Sequence, residues 1–226
     1  MSKPVLAFDM DGVLVDVTES YRETIARTVH HFTGAAVTPE KIQEYKNQGG
    51  WNDDWQLSHH IVTSAGIDVP FDDVKAHFQK LFLGNGADGL MLREQWVARP
   101  GTLERLNQQF QFALFTGRPR AEAQMTLNRF ARDFEFAPII GMYDVRRHKP
   151  APDGLLQIRD AYPGAKMFYV GDTIDDARCA RAAGIPFIGI AAPSNPLYLD
   201  LVFLFQETGV HAIVDDINYL EEVFAS

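Results

Sequence analysis

The chain has 226 residues, 46% of them hydrophobic and 23% charged, with a formal net charge of −9, enough to bury a substantial core as one large domain or as a core with an inserted lobe. The negative balance argues against a nucleic-acid backbone or an anionic membrane as the main partner, because both would be repelled over most of the surface. An anionic small substrate would need locally placed cations.

The first apolar run, Val5-Leu6-Ala7-Phe8, predicts a short buried strand. It ends in Asp9-Met10-Asp11-Gly12, two carboxylates one residue apart. In open α/β sheets ligands gather outside the carboxyl ends of strands, so Asp9 and Asp11 would stand at a cleft mouth. Acids so close repel unless a cation lies between them or one keeps its proton. The cation would be a hard metal such as Mg²⁺, and the retained proton would make a general acid. Asp-Gly also marks tight turns, which accounts for Gly12 but not for Asp9.

From Thr18 to about Phe32 the spacing is helical, and up to about Leu92 the chain stays helix-like, broken at Thr38-Pro39-Glu40, Gly49-Gly50, Gly66 to Pro70 and Gly84-Asn85-Gly86. These short helices are expected to form a separate lobe, residues 17–92. Its least ordinary stretch is Gly49-Gly50-Trp51-Asn52-Asp53-Asp54-Trp55, which suggests a shaped loop with Trp51 available to a substrate. The competing reading puts Trp51 and Trp55, four apart, on one face of a helix that packs internally; it is favoured for Trp55. His59 and His60 are adjacent, which disfavours a shared metal site.

From Pro100 the texture changes. A helix opening at Pro100-Gly101-Thr102 is followed by apolar runs at Phe112–Phe115, Ile139–Gly141, Met167–Val170, Pro186–Ile190 and His211–Val214, alternating with helical stretches. Alternation of this kind implies βα units and a mostly parallel sheet buried on both faces. The first strand belongs with this set, so residues 1–16 and 93–226 are expected to form the core and the lobe to be an insertion.

Three further signals fall where strands should end. Thr116-Gly117-Arg118-Pro119 offers a hydroxyl and a glycine-exposed amide for phosphate oxygens, or is a plain turn. His148-Lys149-Pro150 supplies an ammonium in a stiffened segment, with His148 read as a structural hydrogen-bonder. Gly171-Asp172-Thr173-Ile174-Asp175-Asp176 places three acids after an apolar run. One of them could cap the following small-residue helix, which Gly184 closes, but three exceed that need, and with Asp9 and Asp11 they would cage one divalent cation. Cys179, the only cysteine, cannot form an internal disulfide and reads as a small core residue in a reducing compartment. With no signal-type or bilayer-spanning run, the cytoplasm is the expected location.

In this order, Asp9-x-Asp11-Gly12, Thr116-Gly117, Lys149-Pro150 and Gly171-Asp172-x-x-x-Asp176 resemble the four motifs of the haloacid dehalogenase-like hydrolase superfamily. The helical insertion after the first motif resembles the cap of its phosphoglycolate phosphatase and β-phosphoglucomutase-like members. The resemblance implies an α/β fold, a three-layer Rossmann-like parallel-sheet core with an inserted α-helical cap. It implies a Mg²⁺-dependent phosphatase acting on a small phosphorylated metabolite through an aspartyl-phosphate. Asp9 would be the nucleophile and Asp11 the general acid and base. Mg²⁺ would be held by the Asp9 side chain, the Asp11 carbonyl and Asp172. Thr116, the Gly117 amide and Lys149 would bind phosphoryl oxygens, while Asp176 and Asp175 support the metal waters or Lys149. A phosphomutase is the alternative. A phosphonate hydrolase would need a cap lysine, from among Lys41, Lys46, Lys75 and Lys80, able to form a Schiff base. A dehalogenase would lack Asp11, and a silent regulatory module would lack one of the acids. Nucleic acid and membrane are not expected partners, and the oligomeric state is not legible.

Overall fold

A computed structural model describes residues 3–225. In chain order the elements are β1 (Val5–Phe8), β2 (Val15–Asp16), α1 (Glu23–Thr33), α2 (Pro39–Gln48), α3 (Asp54–Ser64), α4 (Phe71–Leu83), β3 (Gln95–Trp96), α5 (Thr102–Gln109) and β4 (Gln111–Phe115). They continue with α6 (Arg120–Phe130), β5 (Phe136–Ile140), α7 (Asp153–Ala161), β6 (Met167–Gly171), α8 (Ile174–Ala183), β7 (Phe187–Ile190), α9 (Tyr198–Thr208), β8 (Ala212–Val214) and α10 (Leu220–Phe224). The chain divides into two compact units. One holds the chain up to Val15 and from Trp96 onward, the other Asp16–Gln95.

The first unit is built on a parallel six-stranded sheet of order β5-β4-β1-β6-β7-β8. Its strands read as unbroken apolar runs because both faces are covered, so no residue can be polar without a partner. On one face Val5, Ala7, Ala113 and Tyr169 pack under Leu155 and Ile158 of α7, Ala177 and Ala180 of α8, and Leu201 and Phe205 of α9. On the other, Phe8 meets Phe112 edge-on at 5.4 Å between ring centroids, and Phe168 meets Phe224 of α10 at 5.0 Å. Helices on both sides make this a three-layer, Rossmann-like α/β fold. The order turns back at β1, which lies between β4 and β6, and that is where ligand crevices form in such sheets.

The second unit is helical. α1 packs against α3 and α4, and α3 against α4, around Tyr21, Phe78 and Phe82, with the Tyr21 and Phe82 rings 4.1 Å apart. The sequence boundaries of α2 are explained by Thr38, whose hydroxyl accepts from the Lys41 amide, and by Pro39 at the first helical position. Among the described residues, no helix is long and apolar enough to cross a membrane.

Candidate active site

The ends of β1, β4 and β6 stand side by side, and each delivers part of the site. Beyond β1 the ladder continues one step, with the Asp9 amide donating to the Val170 carbonyl at 2.8 Å, so Asp9 is fixed by the sheet itself. The chain then turns tightly: the Met10 carbonyl accepts from the amides of Val13, Leu14 and Val15. Gly12 sits at φ +69°, and a Cβ there would strike the Asp172 carboxylate. Glycine is thus required twice over at that position, by backbone angle and by the approach of an acid from a distant part of the sequence.

Asp9 is 4% exposed, and its carboxylate pairs with the ammonium of Lys149 at 2.9 Å. Lys149, also buried, pairs with Asp176 at 2.7 Å. Asp176 is fully enclosed, and its oxygens take one ion pair and three hydrogen bonds: the Lys149 ammonium and the Tyr169 hydroxyl (2.7 Å) on Oδ1, the Thr173 amide (3.1 Å) and hydroxyl (2.6 Å) on Oδ2. Gly171 admits this carboxylate, since a Cβ there would collide with it. Burial raises the pKa of Asp176, but Lys149 and its hydrogen bonds overcome that and hold it below the ordinary carboxylate value. Burial acts against the charge of Lys149, yet Asp176 and Asp9 together raise its pKa. Asp9 is left with the deficit: desolvation, opposed by Lys149 and reinforced by Asp176 and Asp11, pushes it up to about 7.

Asp9, Asp172 and Asp176 each offer a carboxylate oxygen, the three lying within 4.8 Å of one another. Such a group could hold a divalent cation. Its donors are hard oxygens, suited to Mg²⁺. Because the Asp176 oxygens already accept three hydrogen bonds and face the Lys149 ammonium, Asp9 and Asp172 are the better-fitting ligands, with Asp176 beside Lys149.

The other expected site residues fall as follows. Thr116, 1% exposed, directly follows β4; its amide donates to the Ile140 carbonyl at 3.0 Å, and its hydroxyl accepts from the Arg118 amide at 3.2 Å. Gly117 lies between them. Asp175 is buried, and its ion pair is with Arg178 on its own helix at 3.9 Å, so the structure does not bring it into the three-acid group. The expectation that an acid caps α8 is corrected: the N-cap is Thr173, whose hydroxyl accepts from the Asp176 amide while Asp176 accepts from the Thr173 amide. A hydroxyl can do this from a buried position without adding charge, and the acids are released for other contacts.

Asp11 has a partner that sequence reasoning did not name. Arg118, 2% exposed, directs Nε at 2.7 Å and also Nη2 to Asp11 Oδ1, and its Nη1 donates to Thr126 Oγ1 at 3.0 Å. In Thr-Gly-Arg-Pro an arginine looks like a turn's solvated charge. The only signal was the second acid of the first motif, which would need a cation if it stood near a closed interior.

In the helical unit Trp51 lies in the loop ahead of α3 and Trp55 within it, so they do not share a helix face as one of the two readings had it. Trp55 is buried under Lys75, whose ammonium lies 4.1 Å from the ring centroid. Trp51, half-buried, rests on His60 at 4.3 Å between centroids, with Tyr45 edge-on at 5.8 Å. Gly49 and Gly50 both have φ +82°, and Asp53 caps α3 by accepting from the amides of Trp55 and Gln56, which fixes both ends of the loop.

Residues 6–190 match the family model for haloacid dehalogenase-like hydrolases. An imidazoleglycerol-phosphate dehydratase of Phytophthora nicotianae is 35% identical over 86% of this chain, which spans only 45% of that relative. A phosphoglycolate phosphatase of Mesorhizobium japonicum is 26% identical over 84% of this chain and 83% of its own. Among solved structures, a protein of Bacteroides fragilis described as haloacid dehalogenase-like superposes with a TM-score of 0.76 at 21% identity, covering 97% of this chain and 100% of that one.

Proposed function

Because the chain belongs to the haloacid dehalogenase-like hydrolases, we propose that it is a phosphatase that passes the phosphoryl group of a small monoester first to Asp9 and then to water. The observation that carries this reading is the convergence of Asp9, Lys149, Asp172 and Asp176 at the carboxyl edge of β1 and β6. An isolated buried carboxylate is costly. One held 2.9 Å from an ammonium, beside a second acid, is a poised nucleophile.

In the proposed reaction the Asp9 oxygen that does not face Lys149 attacks phosphorus, and the bond to the leaving oxygen breaks as Asp11 supplies a proton. Lys149, the Thr116 hydroxyl and the Gly117 amide take the phosphoryl oxygens, and Lys149 offsets the charge moved off Asp9. Asp11, now a carboxylate, then removes a proton from the water that hydrolyses the aspartyl-phosphate. Asp176 keeps Lys149 oriented throughout, supported by Tyr169 and Thr173. Asp9, Asp172 and the Asp11 carbonyl would hold Mg²⁺, which when bound keeps Asp9 ionised and neutralises charge on the transferring oxygens. The dehydratase activity of the Phytophthora relative is not carried over, since this chain spans under half of that protein. Phosphoglycolate is the first substrate to try, after the relative matched over most of both chains. Trp51 is the candidate for substrate selection. A reducing, cytoplasmic setting fits Cys179, whose thiol is buried and pushed up to about 12 by desolvation.

Phosphate release from p-nitrophenyl phosphate and a panel of phosphorylated metabolites tests the reading. Asp9→Asn should lower turnover by at least about 10⁴-fold, the scale seen when a nucleophile is removed. EDTA should abolish activity and Mg²⁺ restore it. Full activity in Asp9→Asn removes the nucleophile assignment, and indifference to EDTA removes the metal.

A further inference from the structure

The guanidinium of Arg118 is an unusual group to find sealed at a sheet edge, and its fork is aimed at one carboxylate. Two of its nitrogens, Nε at 2.7 Å and Nη2, converge on a single oxygen of Asp11, Oδ1. The third, Nη1, is tied back to Thr126 on α6 at 3.0 Å, so the fork itself cannot swing. The arginine side chain is 1% exposed and that of Asp11 27% exposed, which places the exposed part of the pair on the carboxylate. Both bonds leave Asp11 Oδ2 out.

We propose that Arg118 is a positioning residue for proton transfer: it anchors Asp11 by Oδ1 and leaves Oδ2 as the working oxygen. The inference rests on the phosphatase reading above. As the bond from phosphorus to the leaving oxygen breaks, the proton on Oδ2 moves to that oxygen. In the second half-reaction Oδ2 takes a proton back from the attacking water, so the carboxyl group ends as it began. Arg118 itself exchanges nothing. Its contribution is to remove rotamer freedom from a side chain that must meet the leaving oxygen at hydrogen-bond distance, where small misplacements are expensive.

Such a role has a signature that a purely structural arginine lacks. Loss of a well-placed acid hurts an ester in proportion to how badly its leaving group needs the proton. p-Nitrophenyl phosphate departs as a stable phenolate, whereas unsubstituted phenyl phosphate does not. The value of kcat/KM reports only the half-reaction in which the ester bond breaks. Arg118→Met should therefore lose about tenfold more kcat/KM on phenyl phosphate than on p-nitrophenyl phosphate, at the low end of what general acids contribute. Asp11→Asn should show the same bias, and adding Arg118→Met to it should cost less than about twofold more, as for residues that act as one unit. Since Arg118→Met removes a buried charge and can fail to fold, Thr126→Val is the second variant. It keeps the side-chain shape, removes the Thr126 hydroxyl that accepts from Nη1, and should show the same bias at reduced size.

Equal losses on the two esters in folded Arg118→Met and Thr126→Val, or full additivity with Asp11→Asn, would overturn the positioning role while leaving the phosphatase intact. Absence of turnover of either ester by the wild-type chain would instead remove the underlying reading, and the inference with it.

Discussion

Among the described residues each unit buries one lysine in an ion pair, and the two sites are built differently. In the helical unit Lys46, its side chain 7% exposed, meets the single carboxylate of Asp54 and donates to the Trp51 carbonyl at 2.8 Å. Charge there is balanced one to one, and the contact ties the end of α2 to the loop before α3. In the sheet unit Lys149, its side chain 1% exposed, is shared between Asp9 and Asp176. One carboxylate is in excess. Hydrogen bonds from Tyr169 and Thr173 favour ionised Asp176, so the imbalance falls on Asp9, which is pushed up to about 7. A balanced buried pair fixes conformation, whereas an imbalanced one keeps a group eager for a cation or a new bond.

The largest effect expected from breaking this contrast is at Lys149. Lys149→Met should cut turnover of p-nitrophenyl phosphate by about 10³-fold, the upper range for one preorganised electrostatic contact. It should also lower stability by about 3–5 kcal/mol, because two carboxylates are left buried without their cation. Steady-state kinetics and urea unfolding check the two halves. Retained turnover would mean that Lys149 is only a staple like its counterpart.

Lys46→Met should reproduce the stability loss without the chemical one. Removing one partner of a nearly buried pair predicts destabilisation of about 3 kcal/mol, visible in urea unfolding. The kcat on p-nitrophenyl phosphate should stay within about threefold, since residues that touch no reacting atom seldom carry a transition-state contact. A collapse of kcat in the folded variant would show that the Lys46–Trp51 loop belongs to the chemistry and would erase the distinction between the units.

The same contrast decides what could be read before any coordinates. The sheet was legible because burial on both faces forces strands such as Val5–Phe8 and Met167–Gly171 to be apolar throughout, and acids that interrupt such runs stand out. The meeting of residue 9 with residue 172 was inferred from two patterns that each made sense only at a strand end. Arg118 was not legible, because its partners, Asp11 and Thr126 of α6, are brought to it by the fold and nothing local in Thr-Gly-Arg-Pro records that. Helix α9 was legible only as the stretch between the runs at Pro186–Ile190 and His211–Val214, without bounds: Tyr198-Leu199-Asp200-Leu201-Val202-Phe203-Leu204-Phe205 is apolar nearly all round and has no 3.6-residue polar face to mark where a helix starts and stops. The ribbon of Val15–Asp16 and Gln95–Trp96 is two residues per strand, too short for any periodicity. In the helical unit Thr38 and Gly49 marked the ends of α2, but the pairing of Lys46 with Asp54 depends on how α2 and α3 are turned toward each other, which spacing alone does not encode.

The smallest predicted effect is thermal and is confined to the metal-free protein. The folded-state pKa of Asp9, about 7, lies above its ordinary value of 3.8, so between these values the native state binds more protons than the unfolded chain, and stability falls as pH rises. Asp176, lowered, contributes stability that is lost only on acidification through its folded pKa. Lys149, raised, contributes stability that is lost only in strong alkali. Across pH 5 to 8 the Asp9 contribution therefore acts alone within this triad. In EDTA, the melting temperature of Asp9→Asn measured against wild type should be several degrees higher at pH 8 than at pH 5, at roughly 2–4 °C per kcal/mol for a chain of this size. Adding Mg²⁺ should raise the wild-type melting temperature most at pH 8 and shrink the gap, because a cation favours the ionised carboxylate that burial disfavours. A gap that is the same at both pH values would show that the excess charge in the sheet unit does not reside on Asp9, and the imbalance that separates the two lysines would have to be sought elsewhere in the cluster.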